Sequence, residues 1–204
     1  MTTRPLALNI LQNPAQAAAL MAPLRLRLLE RLSGPQSAAS LAREFSLPRQ
    51  KLNYHLHELE KVGFVALVEE RRKGNCIERL YRATARYYVL DPALLGTLGA
   101  DPEKIQDRFS SAYLVALAAQ AIRDLASLRV RAEKAGKRLA TFSLLSEVRF
   151  ASAEARAAFV EDLANEVAKL VAKYHNEQAP GGRSFRFLIG AYPKITKKQG
   201  EAGN

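Results

Sequence analysis

Between Ser37 and Gly63 the chain reads SAASLAREFSLPRQKLNYHLHELEKVG, and this stretch constrains the fold more than any other. A helix of about two turns over roughly 37–44, with Leu41 and Ala42 inward, breaks at Phe45-Ser46-Leu47. Pro48 then opens a helix of about four turns that Gly63 ends as a C-cap. Two such helices separated by about three residues predict a helix-turn-helix.

At ~100° per residue, Leu52, Leu56 and Leu59 cluster within about 60° of the second helix and face the core. Gln50, Tyr54, His57 and Lys61 lie opposite, Lys51 and Asn53 flank them, and Arg49 sits near the start. This outer face has no large aliphatic side chain. Arg, Lys, Asn and Gln read base edges in a major groove, and Lys, Arg, Tyr and His take phosphates. Contacts come mostly from the first half of such a helix. The expected DNA-binding residues are therefore Arg49, Gln50, Lys51, Asn53, Tyr54 and His57. Taken alone, the face reads equally well as an ordinary solvated surface.

The residues after this helix favour the DNA reading. FVALVEE is a short β-rich run, Arg71-Arg72-Lys73-Gly74-Asn75 reads as a hairpin tip, and Cys76 to Thr84 returns as a second strand. Helix-turn-helix followed by a hairpin is a winged helix, and Arg71, Arg72 and Lys73 fall where a wing touches neighbouring DNA. The charge balance agrees: 31 Lys+Arg against 20 Asp+Glu give +11, which suits an anionic partner. The excess does not locate the site, since residues 1–100 carry 14 basic and 8 acidic side chains and residues 101–204 carry 17 and 12.

Upstream, Asn13-Pro14-Ala15-Gln16 predicts a capped helix start, with Gln16 closing a capping box. Pro23 interrupts that helix and restarts it as PLRLRLLERL, amphipathic through Leu24, Leu28 and Leu32, until Ser33-Gly34-Pro35. Asp91-Pro92 and the Gly96, Gly99 stretch predict a linker.

The second half predicts a long Ala-rich helix over roughly 102–137, a strand in TFSLLSEVRF, and a helix beginning at the N-cap Ser152. The turn Pro180-Gly181-Gly182 then leads to a last strand in SFRFLIGAY. The expected fold class is α+β, mainly helical. A winged helix-turn-helix domain at 1–92 is followed by a helical, strand-helix-strand domain at 101–192 and a basic disordered tail at 193–204. Nine of the fifteen aromatics lie after residue 100, which fits either an ordinary core or the wall of a pocket for a small apolar organic effector. The Ala-rich face of the long helix is the expected dimer seam.

No catalytic arrangement, metal ligand set or cofactor loop is legible. His55 and His57 point ~200° apart on a helix and cannot share one ion. His55 lies beside the leucine stripe and is expected to be partly buried. His175 stands at a helix end, where the dipole favours it. The single cysteine, Cys76, allows no intramolecular disulfide and suits a cytoplasmic setting. No secretory pattern opens the chain and no apolar run reaches ~18 residues, so no membrane partner is expected.

Several short motifs together resemble the ArsR-type winged-helix regulators of bacteria. They are Pro23-Leu24-Arg25, Leu41-Ala42, Tyr54-His55-Leu56-x-x-Leu59, Gly63-Phe64-Val65 and Leu80-Tyr81-Arg82, within about residues 6–90. The resemblance implies a homodimer that represses promoters and releases DNA on binding an effector. It implies that Arg49 to Asn53 and Tyr54 enter the major groove, and it gives His55 the family's structural position. Asn53 stands where the family commonly has serine, which alters base preference, and the Cys-x-Cys pair of metal-sensing members is missing. The alternatives left open are a constitutive or architectural DNA-binding protein without a ligand, and a ligand-binding protein that does not bind DNA.

Overall fold

The computed structural model describes residues 5–73 and 76–195, the side chains of Lys73 and Cys76 excepted. The fold is mixed α+β. By contact the chain divides after Arg138 into two compact units. No helix among the described residues is long and apolar enough to cross a membrane.

The first unit opens with a strand that the sequence does not announce, β1 (Leu6–Leu11). It pairs in parallel with β5 (Ala85–Leu90), from Leu6 beside Ala85 to Leu11 beside Leu90. A six-residue LALNIL run does not separate strand from helix by periodicity. Its partner lies some eighty residues away, so no local signal marks the pair.

α1 (Pro14–Leu20) is capped as expected by Asn13, whose side chain accepts from the Ala15 N–H. Gln16 does not close a capping box. Its amide donates instead to the carbonyl of Val62, 2.8 Å away, and so fastens α1 to the exit of the helix over 49–61. Pro23 opens α2 (Pro23–Arg31), which buries Leu28 and Leu29.

Ser37 caps α3 (Ala38–Phe45) in a box closed by Ser40. Ser46 turns the chain in the left-handed conformation (φ 52°). α4 (Arg49–Lys61) comes next and buries Leu52, Leu56 and Leu59, the predicted stripe. Its exit is a Schellman motif: Phe64 N–H donates to Leu59 O and Gly63 N–H to Glu60 O, both at 2.9 Å, with Gly63 at φ 79°.

β3 (Val65–Lys73) and β4 (Cys76–Ala83) form the wing, antiparallel, with the short β2 (Gln36–Ser37) on the other edge of β4. Arg71 and Arg72 lie within β3 rather than at the tip. The tip residues Gly74 and Asn75 lie outside the described residues.

One core joins these elements, with Leu11, Leu28, Leu32, Leu41, Leu52, Leu56, Leu59 and Phe64 all fully buried. Each such side chain contributes about 1.5–3 kcal/mol by leaving water. The wing is tied to this core by backbone bonds from Ala83 N–H to Leu32 O and Thr84 N–H to Phe64 O.

The linker over 92–98 is a 3₁₀ segment broken at Gly96. The long helix is shorter than predicted. A single 3₁₀ turn spans Pro102–Lys104, and α5 runs Ser111–Lys134. Asp107 accepts from Phe109 N–H and Ser110 caps the helix through Tyr113 N–H, so the polar turn at 107–110 sets the start. α5 belongs to the first unit, although the sequence groups it with the second half.

The second unit contains α6 (Ala153–Tyr174), capped by Ser152 as predicted. The strands predicted at 141–150 and 184–192 are a correction. Both segments lack helix and turn, but neither is hydrogen-bonded into a sheet. Alternating apolar residues favour an extended chain, but a strand is made by a neighbour. The tail from 196 onward lies outside the described residues.

Candidate nucleic-acid interface

α4 presents its outer face to solvent because its leucines are held below. Leu52, Leu56 and Leu59 are buried, and Arg49, Gln50, Lys51, Asn53, Tyr54 and His57 are all exposed. The six residues expected on this helix therefore share one accessible surface. Of its two carboxylates, Glu58 is neutralised internally. Glu58 accepts from Lys61 at 2.8 Å and lies 3.8 Å from Arg25, while Glu60 lies 3.6 Å from His57. The Lys61 hydrogen bond holds the Glu58 carboxyl below its ordinary pKa. Arg49 and Lys51 show no such ion pair among the described residues, so their charge remains available to an anion.

Arg49, Asn53 and His57, at i, i+4 and i+8, line one wall of a depression of about 250 Å³. The N-terminus of α3 (Ser37 to Ala39) and the wing residues Ile77, Glu78, Arg79 and Tyr81 form the rest of it. The depression is polar, and the helix N-terminus adds N–H donors that favour negative charge.

The wing divides the three cations assigned to it. Arg71 is paired with Glu69 (Nη2 to Oε2, 2.9 Å), so part of its charge is spent within the strand. Arg72 stands opposite Ile77 in the register and shows no ion pair among the described residues. The Lys73 side chain lies outside the described residues.

Ser37, Glu78 and Arg79 were not among the expected site residues. Ser37 Oγ donates to Glu78 Oε1 at 2.6 Å, and Arg79 Nε donates to Glu70 Oε1 at 3.0 Å. Lys73 stands opposite Cys76 in the register and, counting back, Glu70 opposite Arg79, whereas the expected tip at 71–75 would set Glu70 opposite Cys76. The Ser37 contact was not available from the sequence either, because it joins residues 41 apart.

His55 is half-buried beside α2, as expected. Its Nδ1 and the Nε of Arg25 are buried without a hydrogen-bond partner among the described residues. Burial pushes the His55 imidazole below its ordinary pKa; Arg25 and Lys51 add to that, and Glu58 opposes it. Among the described residues, no three His, Cys, Asp or Glu side chains converge as metal ligands would.

Residues 20–68 match the family model described as "Helix-turn-helix domain", which spans α2, α3 and α4 and enters the wing. No curated protein matches the chain. Among solved structures, the chain is similar to a homodimeric winged helix-turn-helix DNA-binding domain from Mycobacterium bovis, described as a possible ArsR-family transcriptional regulator. Identity is 25% over 34% of this chain and 61% of that one, with a TM-score of 0.29. It is similar to an ArsR-like transcriptional regulator from Rhodococcus, with 29% identity over 59% of this chain and 89% of that one, and a TM-score of 0.29. It is also similar to the transcriptional repressor BigR from Xylella fastidiosa, with 21% identity over 61% and 86% of the two chains and a TM-score of 0.28. The chain thus spans 61% of the length of the first of these structures.

Proposed function

We propose that this chain is a sequence-specific DNA-binding transcriptional regulator that acts as a homodimer on an inverted-repeat operator. One observation carries the reading. The leucine stripe of α4 is locked into the core of a helix-turn-helix, and its opposite face offers Arg49, Gln50, Lys51, Asn53, Tyr54 and His57 to solvent together. α4 enters the major groove in this reading. Gln50 and Asn53 read base edges, Arg49 and Lys51 take phosphate or guanine, and Arg72 of the wing touches the adjacent backbone.

Repression, and release by a small apolar organic effector, are the remaining parts of the reading. The ArsR-type resemblance of residues 6–90 supports them. The working compartment is the cytoplasm, where the DNA is.

The test is immunoprecipitation of the protein cross-linked to genomic DNA, followed by sequencing, with and without Gln50→Ala and Asn53→Ala together. A few sharp peaks sharing an inverted repeat, lost in the double variant, are expected. Broad enrichment unchanged by the substitutions, with affinity falling steeply with salt, would instead favour an architectural DNA-binding protein.

A further inference from the structure

The second unit lacks what a folded unit of its size requires. From 139 to 195 not one residue is buried, and α6 buries nothing along its 22 residues. The apolar side chains there are large and numerous. Phe142 is 79% exposed, Phe187 73% and Tyr192 77%, with Leu144, Leu145, Phe185 and Ile189 open beside them. A soluble monomer rarely leaves more than a few hundred Å² of contiguous apolar surface in water.

The pattern of these residues indicates their cover. On α6, Val160, Leu163, Val167, Leu170 and Tyr174 are spaced 3, 4, 3, 4. That is the seam of a heptad with Val and Leu alternating, the combination that favours two-stranded association. The flanking segments 141–150 and 184–192 carry Phe142, Leu144, Val148, Phe185, Phe187 and Ile189, lack helix and turn, and enter no sheet among the described residues, which leaves them free to pair with a neighbour. The area fits the same answer. Phe142, Tyr174, Phe185, Phe187 and Tyr192 alone leave on the order of 700 Å² of ring in water at roughly 200 Å² per aromatic. With the aliphatic residues added, the total passes the ~800 Å² that each partner of a standard interface buries. A small ligand cannot cover such a surface.

We infer that residues 139–195 are a dimerisation module whose core is completed only by the same residues of a second copy of this chain. The α6 helices pack through the Val160–Tyr174 seam, and the flanking segments pair as strands with those of the partner. The inference rests on the homodimer part of the reading above and names the surface that makes the dimer.

The first measurement is the mass of the full-length chain in solution by sedimentation equilibrium, without DNA. The unmodified protein is expected at double the 22.5 kDa of one chain, and the variant with Leu163→Glu and Leu170→Glu at the single mass. Hydrogen exchange of the unmodified chain guards against a variant that merely unfolds. Protection of 139–195 is expected to vanish on dilution to monomer, while that of α4, from Leu52 to Leu59, persists. An unmodified chain that is monomeric at micromolar concentration overturns both the dimer reading and this inference. A dimer that survives both substitutions, or exchange in 139–195 that ignores dilution, overturns this inference alone and leaves the dimer to another surface.

Discussion

The hydroxyl of Ser37 donates to the carboxylate of Glu78 across 2.6 Å and so ties the N-cap of α3 to the strand of the wing. The same oxygen accepts from the Ser40 N–H at 3.1 Å. One buried side chain therefore caps a helix and fixes the angle between the helix-turn-helix and the hairpin. Ser37→Ala is expected to cost about 1–2 kcal/mol, the usual loss for a cap together with the lost hydrogen bond to Glu78. Urea unfolding reads the loss. Ser37→Thr, which keeps the hydroxyl, is expected to retain most of the stability.

Two backbone positions frame α4, with opposite expectations. Ser46 holds φ 52°, a conformation that costs a side-chain-bearing residue about 1–2 kcal/mol. Ser46→Gly relieves that strain but frees the unfolded chain, so a net gain of under ~1 kcal/mol is expected. Gly63 holds φ 79° in the Schellman motif, and Gly63→Ala is expected to cost about 1 kcal/mol. Thermal unfolding of the two variants should shift in opposite directions.

The helix-turn-helix was legible because short-range rules govern it. Leucine spacing set the buried face of α4, Gly63 its end, and Ser46 with Pro48 the turn before it. Where the sequence misled, the deciding partner was distant. Gln16 reached Val62 rather than its own helix start, β1 found β5, and Ser37 found Glu78. In the second half the alternation of Phe185, Phe187 and Ile189 announced a strand that the structure does not form. It could not say where the paired backbone would come from, and among the described residues of one chain there is none.

The roles proposed along α4 separate experimentally. Arg49→Ala and Lys51→Ala remove phosphate-facing charge, so each is expected to weaken binding across all sequences and to lower the salt dependence by about one counterion. Asn53→Ala removes a hydrogen-bonding side chain at a base edge. It is expected to cost about 1–3 kcal/mol on the operator, little on random DNA, and nothing in salt slope. Titrations on operator and scrambled duplexes at several salt concentrations make the distinction. An Asn53→Ala loss equal on both duplexes would place that residue on the backbone instead.

His55 links stability to pH. Its folded pKa lies below the ordinary value of 6.5 because burial, Arg25 and Lys51 disfavour the imidazolium more than Glu58 favours it. As pH falls, the unfolded chain therefore takes up this proton before the folded one does. Its contribution is complete above about pH 6.5 and is lost as pH drops from there toward the folded value. Glu58, held low by Lys61, titrates below 4.5 and does not enter this window. Urea unfolding at pH 7.5 and 5.5 should show lower stability at the acid value. His55→Gln, which cannot charge beside Arg25, should shrink that difference. An equal pH dependence in the variant would leave His55 as packing alone.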